Sequence, residues 1–200
     1  MIRWVMFRMR SFVHSALVFA LLLLQTGCRN ERTHVPALPG NPAPPFSLRD
    51  ESGKIVSLSD FSGKVVVLDF WATWCGPCKD AVAELEALHR KYTGRGVVIL
   101  GISVNKESDA PARVRTFARQ HALTYPLVID DGSAYKAYGV TRIPATYILD
   151  RGLIIRDTFP GFRPGIGADI TRKIAQLLAS PPVPPPRSLL RNETGNTLST

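Results

Sequence analysis

Val65-Val66-Val67-Leu68 runs into Asp69-Phe70-Trp71-Ala72-Thr73-Trp74 and then into Cys75-Gly76-Pro77-Cys78. No other stretch limits so strongly what the chain can fold into. A short continuous apolar run predicts a strand buried on both faces, as in a parallel or mixed sheet. Gly76-Pro77 marks a sharp turn. Proline also fits the first turn of a helix, where its missing N–H costs nothing. Ala81, Leu85, Leu88 and Tyr92 follow at helical spacing. Strand, turn and helix in that order place Cys75 at a helix N-terminus. The dipole and the unpaired N–H groups there favour a thiolate over a thiol.

Two residues between cysteines let one thiolate attack an outside disulfide while the other thiol resolves the mixed disulfide. Cys75 comes first and is the expected nucleophile; Cys78, one turn inside and more shielded, is the expected resolving thiol. Two other uses compete. A zinc centre needs four ligands, but the only other cysteine is Cys28, and His14, His34, His89 and His121 form no spaced pair. A purely structural disulfide would close so small a loop that it restricts the unfolded chain little. Asp69 is an acid in a strand expected to be buried, which is costly without a task or a partner. Burial raises a carboxyl pKa and suits it to accept a proton. The alternative is an acid at a strand end facing water.

The 200 residues, 45% of them hydrophobic, suit one domain with a sizeable core plus tails. The formal charge is +9. The basic residues form no stripe with interleaved aromatics, which argues against nucleic acid as a partner. Arg3, Arg8 and Arg10 precede an apolar run, Ala16 to Leu24, and Gln25-Thr26-Gly27-Cys28 follows. That run is short for a membrane span, which needs about 20 residues, and matches a signal-peptide core. Residues 1–28 are therefore read as a targeting segment, a signal peptide or an uncleaved membrane anchor, that places the domain outside the cytoplasm. Residues 29–41, with Pro36, Pro39 and Gly40, read as a flexible linker. Residues 42–179 form the domain, and 180–200 a proline-rich disordered tail.

Within the domain, Phe46-Ser47-Leu48 and Lys54 to Leu58 predict a hairpin around Asp50 to Gly53. Val97 to Val104 predicts a buried strand, and Asn105 to Ala110 a loop. Pro111 opens a helix with Val114, Phe117 and Ala118 on one face and His121 at its end. Leu127 to Ile129 is a short strand, and a short helix lies near Ser133 to Tyr138. Ala145 to Asp150 and Leu153 to Phe159 flank Arg151-Gly152 as a second hairpin. Arg163 to Leu178 is the last helix, with Ile166, Ile170, Ile174 and Leu177 on one face. The alternation argues an α/β class with a mixed sheet.

Asp69 to Cys78 resembles the active-site segment of the thioredoxin superfamily. With Phe46-Ser47-Leu48, Leu58 to Lys64 and Gly139 to Thr146, the frame over 42–179 resembles the TlpA/ResA branch of exported thiol–disulfide oxidoreductases. That resemblance implies a thioredoxin-like fold: a mixed central sheet flanked by helices, an N-terminal β-hairpin and a central strand–helix insertion. It implies a protein disulfide reductase that needs no cofactor and no metal, with Cys75 and Cys78 as the redox-active disulfide. Asp69 would serve Cys78 as proton acceptor. Ile143-Pro144 would be a cis bond facing the cysteines, with the Ile143 backbone free to pair with a substrate peptide. Trp74, Gly76 and Pro77 would form the substrate rim, and Trp71 would pack inside. Thr26-Gly27-Cys28 resembles the end of a bacterial lipobox, with Cys28 lipidated, although Gln25 stands where leucine is usual.

The implied partners are disulfide-containing proteins, such as apocytochrome c or copper-site assembly proteins, and a DsbD/CcdA-like membrane thiol donor. The implied location is the bacterial cell envelope, tethered to the membrane and facing the periplasm. One departure is Ala81, where ResA-like members often carry an acid. Two other readings keep the fold: a redox-inert binding or chaperone module, and a peroxiredoxin-like peroxidase. The peroxidase reading expects a threonine three residues before its cysteine, whereas Thr73 stands two before Cys75.

Overall fold

A computed structural model describes residues 36–180. The targeting segment, Cys28, the start of the linker and the tail beyond Ser180 lie outside them. Strand β3 (Val65–Trp71) is buried along its whole length, Asp69 included. Strand β4 (Val97–Ser103) lies parallel to it and β6 (Ala145–Leu149) antiparallel, so neither edge of β3 meets solvent. Beyond β4 comes β5 (Leu127–Ile129), also parallel. The hairpin of β1 (Ser47–Asp50) and β2 (Ile55–Ser57) adds to β5 antiparallel, and β7 (Ile155–Pro160) closes the far edge on β6. The sheet runs β2-β1-β5-β4-β3-β6-β7 and is mixed, as expected for this α/β class.

Among the described residues four α-helices accompany it: α1 (Gly76–Tyr92), α2 (Ala110–Gln120), α3 (Ser133–Ala137) and α4 (Ile166–Ala179). The predicted apolar spacing of α4 is the buried one, at Ile166, Ile170 and Ile174. Register aligns Asp69 with Gly101 of β4 and Thr146 of β6, so these three share a sheet face, and Trp71, two residues on, shares it too. Trp71 packs at 4.8 Å from Phe117 of α2. Glycine at 101 is a steric need. A Cβ there would lie 2.6 Å from Leu127 Cδ2 and 2.9 Å from Trp71 Nε1. The opposite face carries Phe70, at 5.3 Å from Tyr138 and 5.7 Å from Tyr147.

Three of the boundaries that differ from expectation have a visible physical cause. The linker expected to be flexible through residue 41 is already docked where it is described. The Gly40 and Ala43 N–H groups donate to the Ile155 and Leu153 carbonyls, and Asn41 O accepts from Ile155 N–H. Ala37 and Ala43 are buried. The start of β7 has an open edge, and this extended segment covers it, with Pro42 at a position that needs no N–H. The first hairpin's second strand stops at Ser57, because Leu58 enters a 3-10 turn (Leu58–Phe61) whose Asp60 carboxylate accepts from Ser57 N–H. The last helix starts at Ile166 instead of Arg163, since Gly165 adopts φ +83° before it.

Candidate active site

Cys75 is the N-cap of α1, extended at φ −83° and ψ 113°, with Pro77 in the first turn. Its N–H donates to Ala72 O at 3.1 Å, which closes the turn out of β3. Cys75 and Cys78 are disulfide-bonded, with Cα atoms 5.3 Å apart. Cys78 is fully buried and Cys75 is 6% exposed. The Ile143–Pro144 peptide is cis and leads into β6. Its Ile143 carbonyl oxygen lies 3.9 Å from Cys75 Sγ. Trp74 is 63% exposed beside the disulfide, whereas Trp71 is fully buried. Trp74 and Ile143 border a groove of about 450 Å³. A somewhat larger cleft, about 560 Å³, is lined by Asp50, Arg115 and Tyr125 and includes no residue of the cysteine turn or the proline loop.

Among the described residues the buried carboxylates are Asp69, Glu86, Asp130 and Asp150. Three of them have donors on both oxygens. Glu86 takes Arg90 Nε with Thr124 Oγ1 on one oxygen and Thr124 N–H on the other. Asp130 takes the N–H groups of Ala134 and Tyr135. Asp150 takes the Gly152 and Ile154 N–H groups and Arg156 Nε. Asp69 differs. Thr146 Oγ1 donates to its Oδ1 at 3.2 Å, and Oδ2 has no protein donor. Burial outweighs that one hydrogen bond and pushes the Asp69 carboxyl up to about 7.

The carboxyl is linked to the cysteine turn through β6 and lies on a sheet face that α1 covers. Thr146, which holds it, stands three residues after Ile143, which touches Cys75. Tyr125, beside Gly101, packs its ring 6.1 Å from His89 of α1, so α1 covers the face that carries Asp69. Burial, with added repulsion from Asp69 and Glu86, holds the Tyr125 hydroxyl well above the usual phenol range. Ala81 is buried in α1 and leaves Asp69 without a second acid there. Lys79 is exposed. Among the described residues no cluster of three His, Cys, Asp or Glu side chains is placed to hold a metal.

The family model described as AhpC/TSA matches residues 39–158. The chain belongs to this thioredoxin-like family. It is 38% identical over 122 residues to the thioredoxin-like protein YneN of Bacillus subtilis, covering 61% of this chain and 71% of that one. It is 33% identical over 158 residues to the thiol-disulfide oxidoreductase ResA of Geobacillus kaustophilus, covering 76% and 88%. The solved structure of a thiol:disulfide interchange protein of the thioredoxin family from Chlorobium tepidum aligns with a TM-score of 0.62 at 26% identity, over 72% of this chain and 100% of that one. This chain is an oxidoreductase of the same thioredoxin-like kind.

One residue of the thioredoxin-like site escaped the sequence reading. Asn105 is 1% exposed and spends its whole amide on the active-site loop and its surroundings. Its Oδ1 accepts from Thr73 N–H at 3.0 Å and from Ser103 Oγ at 2.9 Å. Its Nδ2 donates to Thr73 Oγ1 at 2.9 Å and to Glu107 Oε2 at 3.0 Å. Two of these bonds hold Thr73, two residues before the nucleophile. The available signal was position: a polar residue directly after a strand whose parallel neighbour ends at the cysteine turn.

Proposed function

We propose that this chain is an exported, membrane-tethered reductase of protein disulfides, acting through Cys75 and Cys78. What supports the reading is the Asp69 carboxyl, short of donors and raised to about 7, in the strand that leads into the cysteine turn, with a buried second cysteine in the helix that follows. In the reduced enzyme the Cys75 thiolate attacks one sulfur of a substrate disulfide. The other substrate sulfur leaves as a thiolate and takes a proton from solvent. The Asp69 carboxylate then accepts the Cys78 proton, and the Cys78 sulfur attacks Cys75. The bond to the substrate breaks, and the second substrate thiolate is protonated. The substrate gains two electrons and two protons, and the enzyme is left as the Cys75–Cys78 disulfide. A base whose pKa lies near the working pH suits this task.

In this reading Trp74, Gly76 and Pro77 form the rim on which the substrate sits. The Ile143 backbone pairs with the substrate chain, and Pro144, lacking an N–H, competes for none of its hydrogen bonds. A DsbD/CcdA-like membrane thiol donor returns the pair to the dithiol. The substrates in this reading are proteins such as apocytochrome c or copper-site assembly proteins, which the resemblance to the TlpA/ResA branch implies. Export rests on Arg3, Arg8, Arg10 and the apolar run before Cys28.

Insulin reduction by the purified protein, with Cys75→Ser and Cys78→Ser as controls, tests the chemistry. Retained binding without reduction would leave a redox-inert module, and peroxide turnover with dithiothreitol would indicate a peroxidase. Trapping mixed disulfides on Cys78→Ser in vivo identifies the substrates. Mass spectrometry of the mature N-terminus is expected to find a lipidated Cys28; an intact Met1 rejects that assignment.

A further inference from the structure

The groove beside the disulfide has a wall of Trp74, Val104, Tyr135 and Ile143, and four charged residues also line it. Both acids hold hydrogen bonds within the protein, Asp130 on both oxygens and Glu107 on one. Asp130 is buried and caps the start of α3 through both oxygens. Glu107 accepts from Asn105 Nδ2 and lies in the field of Arg113. The two cations are not engaged. Lys106 and Arg142 are exposed, and among the described residues neither forms an ion pair. Their ammonium and guanidinium only donate, and both are free to donate to an acceptor that a bound segment brings. Arg142 directly precedes Ile143, whose carbonyl oxygen lies 3.9 Å from Cys75 Sγ. A segment seated on Ile143 passes Arg142 within a residue or two of its own reacting cysteine.

We propose that Lys106 and Arg142 select substrates whose reacting cysteine is flanked, within about three residues at strand spacing, by an aspartate or glutamate. This rests on the reductase reading and adds the substrate class to it. The guanidinium of Arg142 receives the carboxylate through paired N–H bonds, and Lys106, on the same groove, adds attraction. An apolar neighbour of the same cysteine lies against Trp74 and Tyr135. Both cations stand on a solvated rim, so the selection acts on encounter and KM and weakens with salt.

The test offers the reduced full-length protein three disulfide-bonded peptides. They differ only beside the cysteine, where two aspartates, two serines or two lysines stand. Uncharged hydroxyethyl disulfide is the reference substrate. At low salt kcat/KM is expected to fall from aspartate to serine to lysine, with about a tenfold spread carried by KM. At about 0.5 M salt the spread shrinks to roughly twofold. Lys106→Glu with Arg142→Glu reverses the order, and Lys106→Gln with Arg142→Gln flattens it. Ratios taken within one protein cancel differences in the amount of folded enzyme. Equal low-salt rates for the three peptides, with hydroxyethyl disulfide still reduced, overturn the selectivity and spare the reductase reading. An order unchanged by the double reversal does the same. If no disulfide is reduced at all, both fall.

Discussion

At Asp69 one hydroxyl, that of Thr146, donates to a carboxylate that burial has otherwise stripped of solvent. Compared with Glu86, Asp130 and Asp150, which are slightly more exposed and have donors on both oxygens, it is the group whose charged form costs most. Its kinetic consequence is local. Asp69→Asn is expected to slow resolution of the mixed disulfide by about 10²–10⁴-fold while changing the first attack less. Stopped-flow kinetics with a fluorescent disulfide peptide separate the two steps, and equal effects on both reject the role. Its thermodynamic consequence is a slope. With the folded pKa raised from 3.8 to about 7, the folded protein keeps a proton that the unfolded chain releases between those values. Stability therefore falls as pH rises across that window and levels off above it. Asp69→Asn removes the slope and gains up to about 4 kcal/mol over the parent at pH 8, but little at pH 4. Urea denaturation of the oxidised proteins at the two pH values checks this; parallel pH profiles would show that Asp69 is solvated.

The elements around the cysteines hold one another in ways that no single segment encodes. The turn from β3 to α1 is tied to the end of β4 twice, by Asn105 to Thr73 and by Val104 N–H to Trp71 O at 2.8 Å. Asn105→Leu strips Thr73 N–H and Ser103 Oγ of their acceptor inside the fold. The expected loss is about 1–3 kcal/mol in chemical denaturation, and Asn105→Asp, which restores an acceptor for both, recovers part of it. Full stability in the leucine variant would mean that the bridge is incidental. At the other end of the sheet, the hairpin and the inserted strand, which read as separate additions to a core, are one unit. β1 pairs with β5 at Arg49↔Ile129 and Asp50↔Val128, so the hairpin has its docking edge only because the insertion supplies it.

For the molecule as a whole, the balance between dithiol and disulfide follows from what surrounds the cysteines. Gly76-Pro77 supplies no histidine to stabilise a Cys75 thiolate, and an ionised Asp69 disfavours further negative charge near Cys78. Both favour the disulfide, so the potential is expected below about −200 mV, on the thioredoxin side of the range. Equilibration against glutathione buffers, read through Trp74 fluorescence, measures it; a value near −120 mV would make the protein an oxidant. By itself the sequence determined the strand, turn and helix around Cys75 and Cys78, the α/β class and the apolar face of α4, and it marked Asp69 as an acid in an apolar strand. Each of these is written in local periodicity or in a short motif, where near neighbours along the chain decide the outcome. The tertiary structure alone decided that Asp69 lacks a second donor, that Asn105 holds Thr73, that residues 37–43 cover β7 and that the cations of the groove stand unpaired. Those facts depend on which distant segments meet: 77 residues separate Thr146 from Asp69, and 32 separate Asn105 from Thr73. A polar group's partners are set by sheet order and register across such separations, which local pattern does not carry.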